Sequence, residues 1–137
     1  MLHIKKIKPL FTSIITTGDK YEKDVREQGI ITARKGDLKL YQKVIAIGSS
    51  VRDIAVGDMV MINAANYAVR KYDKNSIQND LDNNPTVSFN FNWVTIDDEE
   101  GTPMECLLLN DRDIIFVFEG EEKSDVLITP NKKIIMN

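Results

Sequence analysis

An all-β fold is predicted by three features of this chain. Its apolar residues fall in short runs rich in Ile and Val, the runs are separated by turn-forming Gly, Pro, Asn and Asp, and few windows carry a 3.6-residue stripe. A composition of 42% hydrophobic and 28% charged residues across 137 positions provides for a folded core without disulfides. One domain spanning residues 1–137 is therefore expected.

The elements follow in order. Residues 7–17 hold the first strand. Residues 18–28 are charged, and Asp19, Lys20, Glu22, Lys23, Asp24, Arg26 and Glu27 resist burial, so 18–37 reads as a mobile loop. One apolar island, Gly29-Ile30-Ile31, interrupts it before polar residues return at 32–37. Residues 41–47 read as a strand closed by Gly48-Ser49-Ser50, and 53–58 as a turn into a strand at 59–62. So short a connection makes these two strands antiparallel neighbours.

The composition then shifts. Residues 73–84 are dominated by Asp, Asn, Lys, Ser and Gln, while 86–94 alternates apolar with polar side chains, as one strand with a wet face does. Residues 97–102 form an acidic turn. Strands at 105–109 and 114–118 are joined by Asn110-Asp111-Arg112-Asp113, and 124–136 supplies a final hairpin around Pro130-Asn131. No internal repeat or low-complexity tract is present.

Composition also limits function. A net charge of -3 offers no overall field for phosphate backbones, which argues against nucleic-acid binding. The N-terminal residues lack the apolar core of a signal peptide and the longest apolar runs are strand-sized, so a soluble, cytoplasmic protein is expected. The single cysteine, Cys106, sits beside Leu107, Leu108 and Leu109 and reads as a buried hydrophobe. His3 is the sole histidine and, near a terminus, reads as a surface residue rather than a ligand or base; a catalytic triad would have to use it, and Cys/His zinc clusters are absent.

Asp97-Asp98-Glu99-Glu100 lacks the spaced ligands of a calcium loop, and Asp111 and Asp113 read as turn caps. Phe89, Phe91 and Trp93 share one strand face without interleaved Lys or Arg, which favours core or subunit contact over base stacking. No enzyme activity, cofactor or metal is expected.

Several segments taken in order carry a family resemblance. They are Lys8-Pro9-Leu10, Gly29-Ile30-Ile31, Val44-Ile45-Ala46-Ile47-Gly48, Val56-Gly57-Asp58-Met59-Val60 and Asp113-Ile114. Their order and spacing resemble the GroES co-chaperonins. No single motif is specific. The resemblance covers residues 7–66 and 104–118.

The resemblance implies a GroES-like, partly open β-barrel with an inserted β segment at about 68–103 and a C-terminal extension at about 119–137. It further implies a non-catalytic subunit of a ring, heptameric in the family, that caps a large chaperonin and assists protein folding, ATP being bound by the partner. Gly29, Ile30, Ile31 and Thr32 would form the chaperonin-binding loop. Leu10, Ile115, Phe116 and Val117 would lie at the subunit interface. Thr32 stands where the family's loop is apolar, and residues 48–56 are too short for a roof hairpin. The enlarged remainder is similar to bacteriophage co-chaperonins.

Two alternatives stand beside these readings. Ile30 and Ile31 could begin an ordinary barrel strand pinned by Gly29. The barrel could instead serve a structural or adhesive β-module, such as a virion component.

Overall fold

The computed structural model describes residues 2–71 and 86–122. Its strands are β1 (Ser13–Thr17), β2 (Val25–Glu27), β3 (Ile30–Ala33), β4 (Tyr41–Ile47), β5 (Met59–Ile62), β6 (Ala68–Lys71), β7 (Thr86–Phe89), β8 (Asn92–Asp97), β9 (Pro103–Asn110) and β10 (Ile114–Phe118). Two short 3-10 turns, Ala64–Tyr67 and Asp111–Asp113, are the helical elements among the described residues. The fold is all-β. The hairpin expected at 124–136 and the polar stretch 73–84 lie outside the described residues.

The chain divides into two compact units, one of residues 2–19 with 39–119 and one built on residues 20–38. The first holds a six-stranded sheet in the order β10-β5-β4-β1-β9-β8, antiparallel throughout. Among the described residues no ladder joins β10 to β8. The extended segment before β1 runs beside β8, with Ile4 bridging Ile96 in parallel and accepting a 2.7 Å hydrogen bond from the Asp97 N–H.

Adjacent strand residues point to opposite faces, and β1 buries both. Ile14 packs with Val44 and Val60, joined by Ile47, Val51, Ile54 and Ile114. Ile15 packs with Ile96 and Cys106, joined by Ile4, Ile7, Ile45, Ala46 and Val94. Each fully buried Ile or Val contributes about 1.5–3 kcal/mol, so Ile14 and Ile15 anchor β1 through both of its faces. Gly48 closes this region: a Cβ there would meet the Phe11 carbonyl oxygen at 2.2 Å. The Phe11 oxygen instead accepts from the Ser50 N–H at 2.9 Å, in a turn where Phe11 has φ 56°.

The structure departs from the expected strand at 86–94. That stretch is two strands in different sheets: β7 pairs with β6, whereas β8 pairs with β9. The break falls at Asn90-Phe91. There the Asn90 N–H donates to the Tyr67 carbonyl at 2.9 Å and the Phe91 ring packs on the Tyr67 ring, 4.9 Å between centroids. The expected insertion at 68–103 thus supplies both the β6–β7 ribbon and β8, an edge strand of the main sheet. The strands joined by Asn110–Asp113 are not neighbours, since β9 pairs with β1 and β8, and β10 with β5.

Candidate functional site: an apolar-tipped ribbon

The stretch expected as a loop contains an antiparallel ribbon. β2 and β3 pair Glu27 with Ile30 and Arg26 with Ile31, then shift register before Val25 meets Ala33. Gln28 and Gly29 form the two-residue turn, with φ 51° and 80°. Two left-handed central residues are what a type I′ hairpin turn requires, and the Gly meets that requirement without steric cost. The end away from the turn is closed by a Lys20–Leu38 bridge. Around it the Tyr21 N–H donates to the Asp37 carbonyl at 2.9 Å, and the Gly36 N–H to the Tyr21 carbonyl at 2.8 Å.

Asp24 and Asp37 hold the polar half of the ribbon through their carboxylates. The Lys35 N–H donates to Asp24 Oδ1 at 2.8 Å and the Arg34 N–H to Asp37 Oδ2 at 3.0 Å. The apolar half is different. Ile30, directly after the turn, is 68% exposed, and Ile31 is 39% exposed. Thr32 is exposed, its hydroxyl 3.4 Å from the Val25 carbonyl. Gly29, Ile30, Ile31 and Thr32 are therefore contiguous at the turn end of a ribbon, and Ile30 and Ile31 begin a strand outside the main sheet.

Leu10 lies in the turn before β1, exposed, its carbonyl accepting from the Ser13 N–H at 3.0 Å. Ile115, Phe116 and Val117 are consecutive exposed residues of β10, whose described pairing is to β5 alone. Leu10 is not drawn into the β10 run, because β4 and β5 separate β1 from β10 in the sheet order.

Two polar nodes escaped sequence reading. Gln42, 1% exposed, sits on β4 at the parity of the buried Val44. Its Oε1 accepts from the Thr17 hydroxyl at 2.8 Å and the Asp19 N–H at 2.9 Å; its Nε2 donates to the carbonyls of Asp19 at 2.9 Å and Lys39 at 2.7 Å. The Lys39 N–H closes the same junction by donating to the Asp19 carbonyl at 3.0 Å. The only prior signal was a polar residue at an inward parity.

The second node is Asp113, buried beside Arg112. Its carboxylate accepts from the Asn66 amide at 2.8 Å, the Asn110 N–H at 2.9 Å and the Tyr67 hydroxyl. Burial pushes the Asp113 carboxyl up, but hydrogen bonds from Tyr67, Asn110 and Asn66, with Arg112 nearby, outweigh it and leave the group below its ordinary range. Burial, together with the bond to Asp113, holds the Tyr67 hydroxyl well above its ordinary range. This pair ties the two 3-10 turns together.

Chemical groups elsewhere are dispersed. His3 Nδ1 lies 3.5 Å from Asp97 Oδ2, and Cys106 is buried, its thiol pushed up by desolvation. Asp98 caps the β8–β9 turn by accepting from the N–H groups of Glu100 and Thr102, both at 2.9 Å. Among the described residues no group of three His, Cys, Asp or Glu side chains is placed to hold a metal, and no helix is long and apolar enough to cross a membrane. No protein-family model matches the chain, and no curated protein matches it in sequence.

Proposed function

We propose that this chain is a non-catalytic, GroES-like co-chaperonin subunit that assembles as a ring lid and docks on a large chaperonin through the tip of the β2–β3 ribbon. The observation that carries this reading is the display of Ile30 and Ile31 beside a tight turn on an otherwise charged ribbon. Ile30 and Ile31 are successive strand residues on opposite faces of the ribbon, so a partner's groove must enclose the tip to bury both; that burial contributes about 3–6 kcal/mol, and a paired backbone reduces the ordering cost of about 1–2 kcal/mol per residue. Each contact is weak. A ring of identical subunits, seven in the family it resembles, multiplies such contacts through effective concentration and still permits release.

In this reading the six-stranded sheet is the barrel wall, Thr32 is a polar substitute for a third anchor, and β10 with Leu10 supplies subunit contacts. Nucleotide is bound by the partner. The test is co-sedimentation of purified protein with the chaperonin ring of its own host in the presence of ATP, comparing wild type with Ile30→Asp/Ile31→Asp. Binding by wild type, reduced at least tenfold in the double variant, supports the proposal; absence of wild-type binding overturns it.

The pairing of the ribbon favours one second reading, a structural or adhesive β-module of a larger assembly, because such a module presents preformed strands. It predicts no chaperonin binding in the same experiment.

A further inference from the structure

The ribbon can act only as well as its base is held, and beside the backbone bonds there one buried side chain reaches the junction. The chain leaves the main unit at Asp19 and re-enters at Lys39, and Gln42 bonds both positions at once. The primary amide is fully used: two acceptor contacts on Oε1 and two donor contacts on Nε2, all between 2.7 and 2.9 Å. Its orientation is forced, because the Asp19 N–H can only donate and the carbonyls of Asp19 and Lys39 can only accept. Thr17 completes the set, bonding Gln42 through its hydroxyl while that same oxygen accepts from the Lys43 N–H at 3.1 Å.

Few residue types could take this place. Burying an amide at 1% exposure is costly unless every polar atom is paired, and here every one is. A shorter Asn would fall short of the carbonyls. Glu would present lone pairs to the two carbonyl oxygens that now receive N–H groups, and Leu would remove all four bonds.

We infer that Gln42 is the positioning residue of the ribbon: its side-chain amide clamps the exit at Asp19 to the return at Lys39 and thereby holds residues 20–38 in the paired, docking-ready form. Its effect on docking rests on the co-chaperonin reading; its effect on the ribbon does not. A chain that leaves its docking-ready form binds only in proportion to the competent fraction, so releasing the clamp lowers the association rate more than it raises the release rate.

Hydrogen exchange of the full-length protein, read by mass spectrometry, tests the clamp without any partner. In Gln42→Leu, peptides across 20–38 should exchange at least tenfold faster, while peptides from β1 and β9 keep their protection relative to one another. Uniform acceleration, or none, overturns the inference, since a merely structural side chain would move the whole main unit. If Gln42→Leu does not fold, Thr17→Val decides, because it removes one of the four bonds. A selective threefold acceleration in 20–38 supports the clamp, and a uniform or absent change overturns it.

Chaperonin association by stopped flow is the second arm. It should slow about tenfold in Gln42→Leu with little change in release, and an unchanged association rate overturns the positioning role. If wild type does not bind, the docking reading falls while the exchange result still judges the clamp.

Discussion

At the scale of single residues, the buried polar groups carry the sharpest consequences. Removing the Asp113 carboxylate strands the Tyr67 hydroxyl, the Asn66 amide and the Asn110 N–H, so Asp113→Ala should cost about 3 kcal/mol in urea unfolding at neutral pH. Tyr67→Phe removes one charge-assisted bond and should cost about 1.5–2 kcal/mol. The pH dependence follows from the direction of the Asp113 shift. Because the folded carboxyl lies below its unfolded value, its contribution is complete above the ordinary carboxylate pKa of about 4 and is lost as pH falls through the lowered folded value. The stability gap between wild type and Asp113→Asn should therefore narrow as pH is taken below about 4; a gap that widens there would contradict it. Neither node was legible beforehand in its full role. Asp113 reads as a turn cap from its neighbours, which is correct but omits Asn66 and Tyr67, partners more than forty positions away. Gln42 is followed by Lys43 at the polar start of its strand, and nothing local reveals that it faces two carbonyls across a chain junction.

At the scale of elements, the turn type of the ribbon makes a prediction of its own. Asn-Gly suits a type I′ turn better than Gln-Gly, since Asn tolerates left-handed backbone at lower cost. Gln28→Asn should strengthen the ribbon by about 0.5 kcal/mol, seen as two- to threefold slower exchange across 20–38. Gly29→Val, with open space around it but φ 80°, should weaken the ribbon by about 1–2 kcal/mol through backbone strain alone. The same turn explains why the segment reads as a loop. Gln-Gly is a weak hairpin signal, and Val25-Arg26-Glu27 contributes two charges to a strand of three residues. Strands at 41–47, 59–62 and 114–118 were legible to the residue because β-branched runs there end at Gly or Asp turns. The division of 86–94 was not, because apolar alternation continues through Asn90 while a tertiary bond to Tyr67 breaks the pairing. For the site, the exposed Ile pair is visible as an apolar island in charged sequence; the ribbon beneath it depends on the register of two short strands.

At the scale of the whole molecule, the two edges of the main sheet are unlike. The β8 edge is accompanied by the N-terminal segment through the Ile4–Ile96 bridge, whereas among the described residues β10 pairs on one side only, with consecutive exposed Ile115, Phe116 and Val117. The ladder shifts register at Ile115, but Phe116 and Val117 are paired in succession and point to opposite faces, so no single-sided cover within a monomer would bury all three. An apolar edge of this kind is a template for pairing with another chain. A second apolar knob lies elsewhere on the unit: Leu10 and Phe11, 57% and 71% exposed, held outward by the turn at φ 56°. Two unlike patches on one chain favour head-to-tail contact, which closes into a ring when the rotation permits, whereas edge-to-edge pairing of β10 with its own copy stops at a dimer. Sedimentation velocity should therefore show wild-type protein as a closed oligomer larger than a dimer. Ile115→Lys/Val117→Lys and Leu10→Lys/Phe11→Lys should each yield monomer with unchanged strand content by circular dichroism, because both variants alter exposed positions. If the second pair leaves the oligomer intact while the first dissolves a dimer, the contact is symmetric through β10, and the ring lid loses its geometric basis.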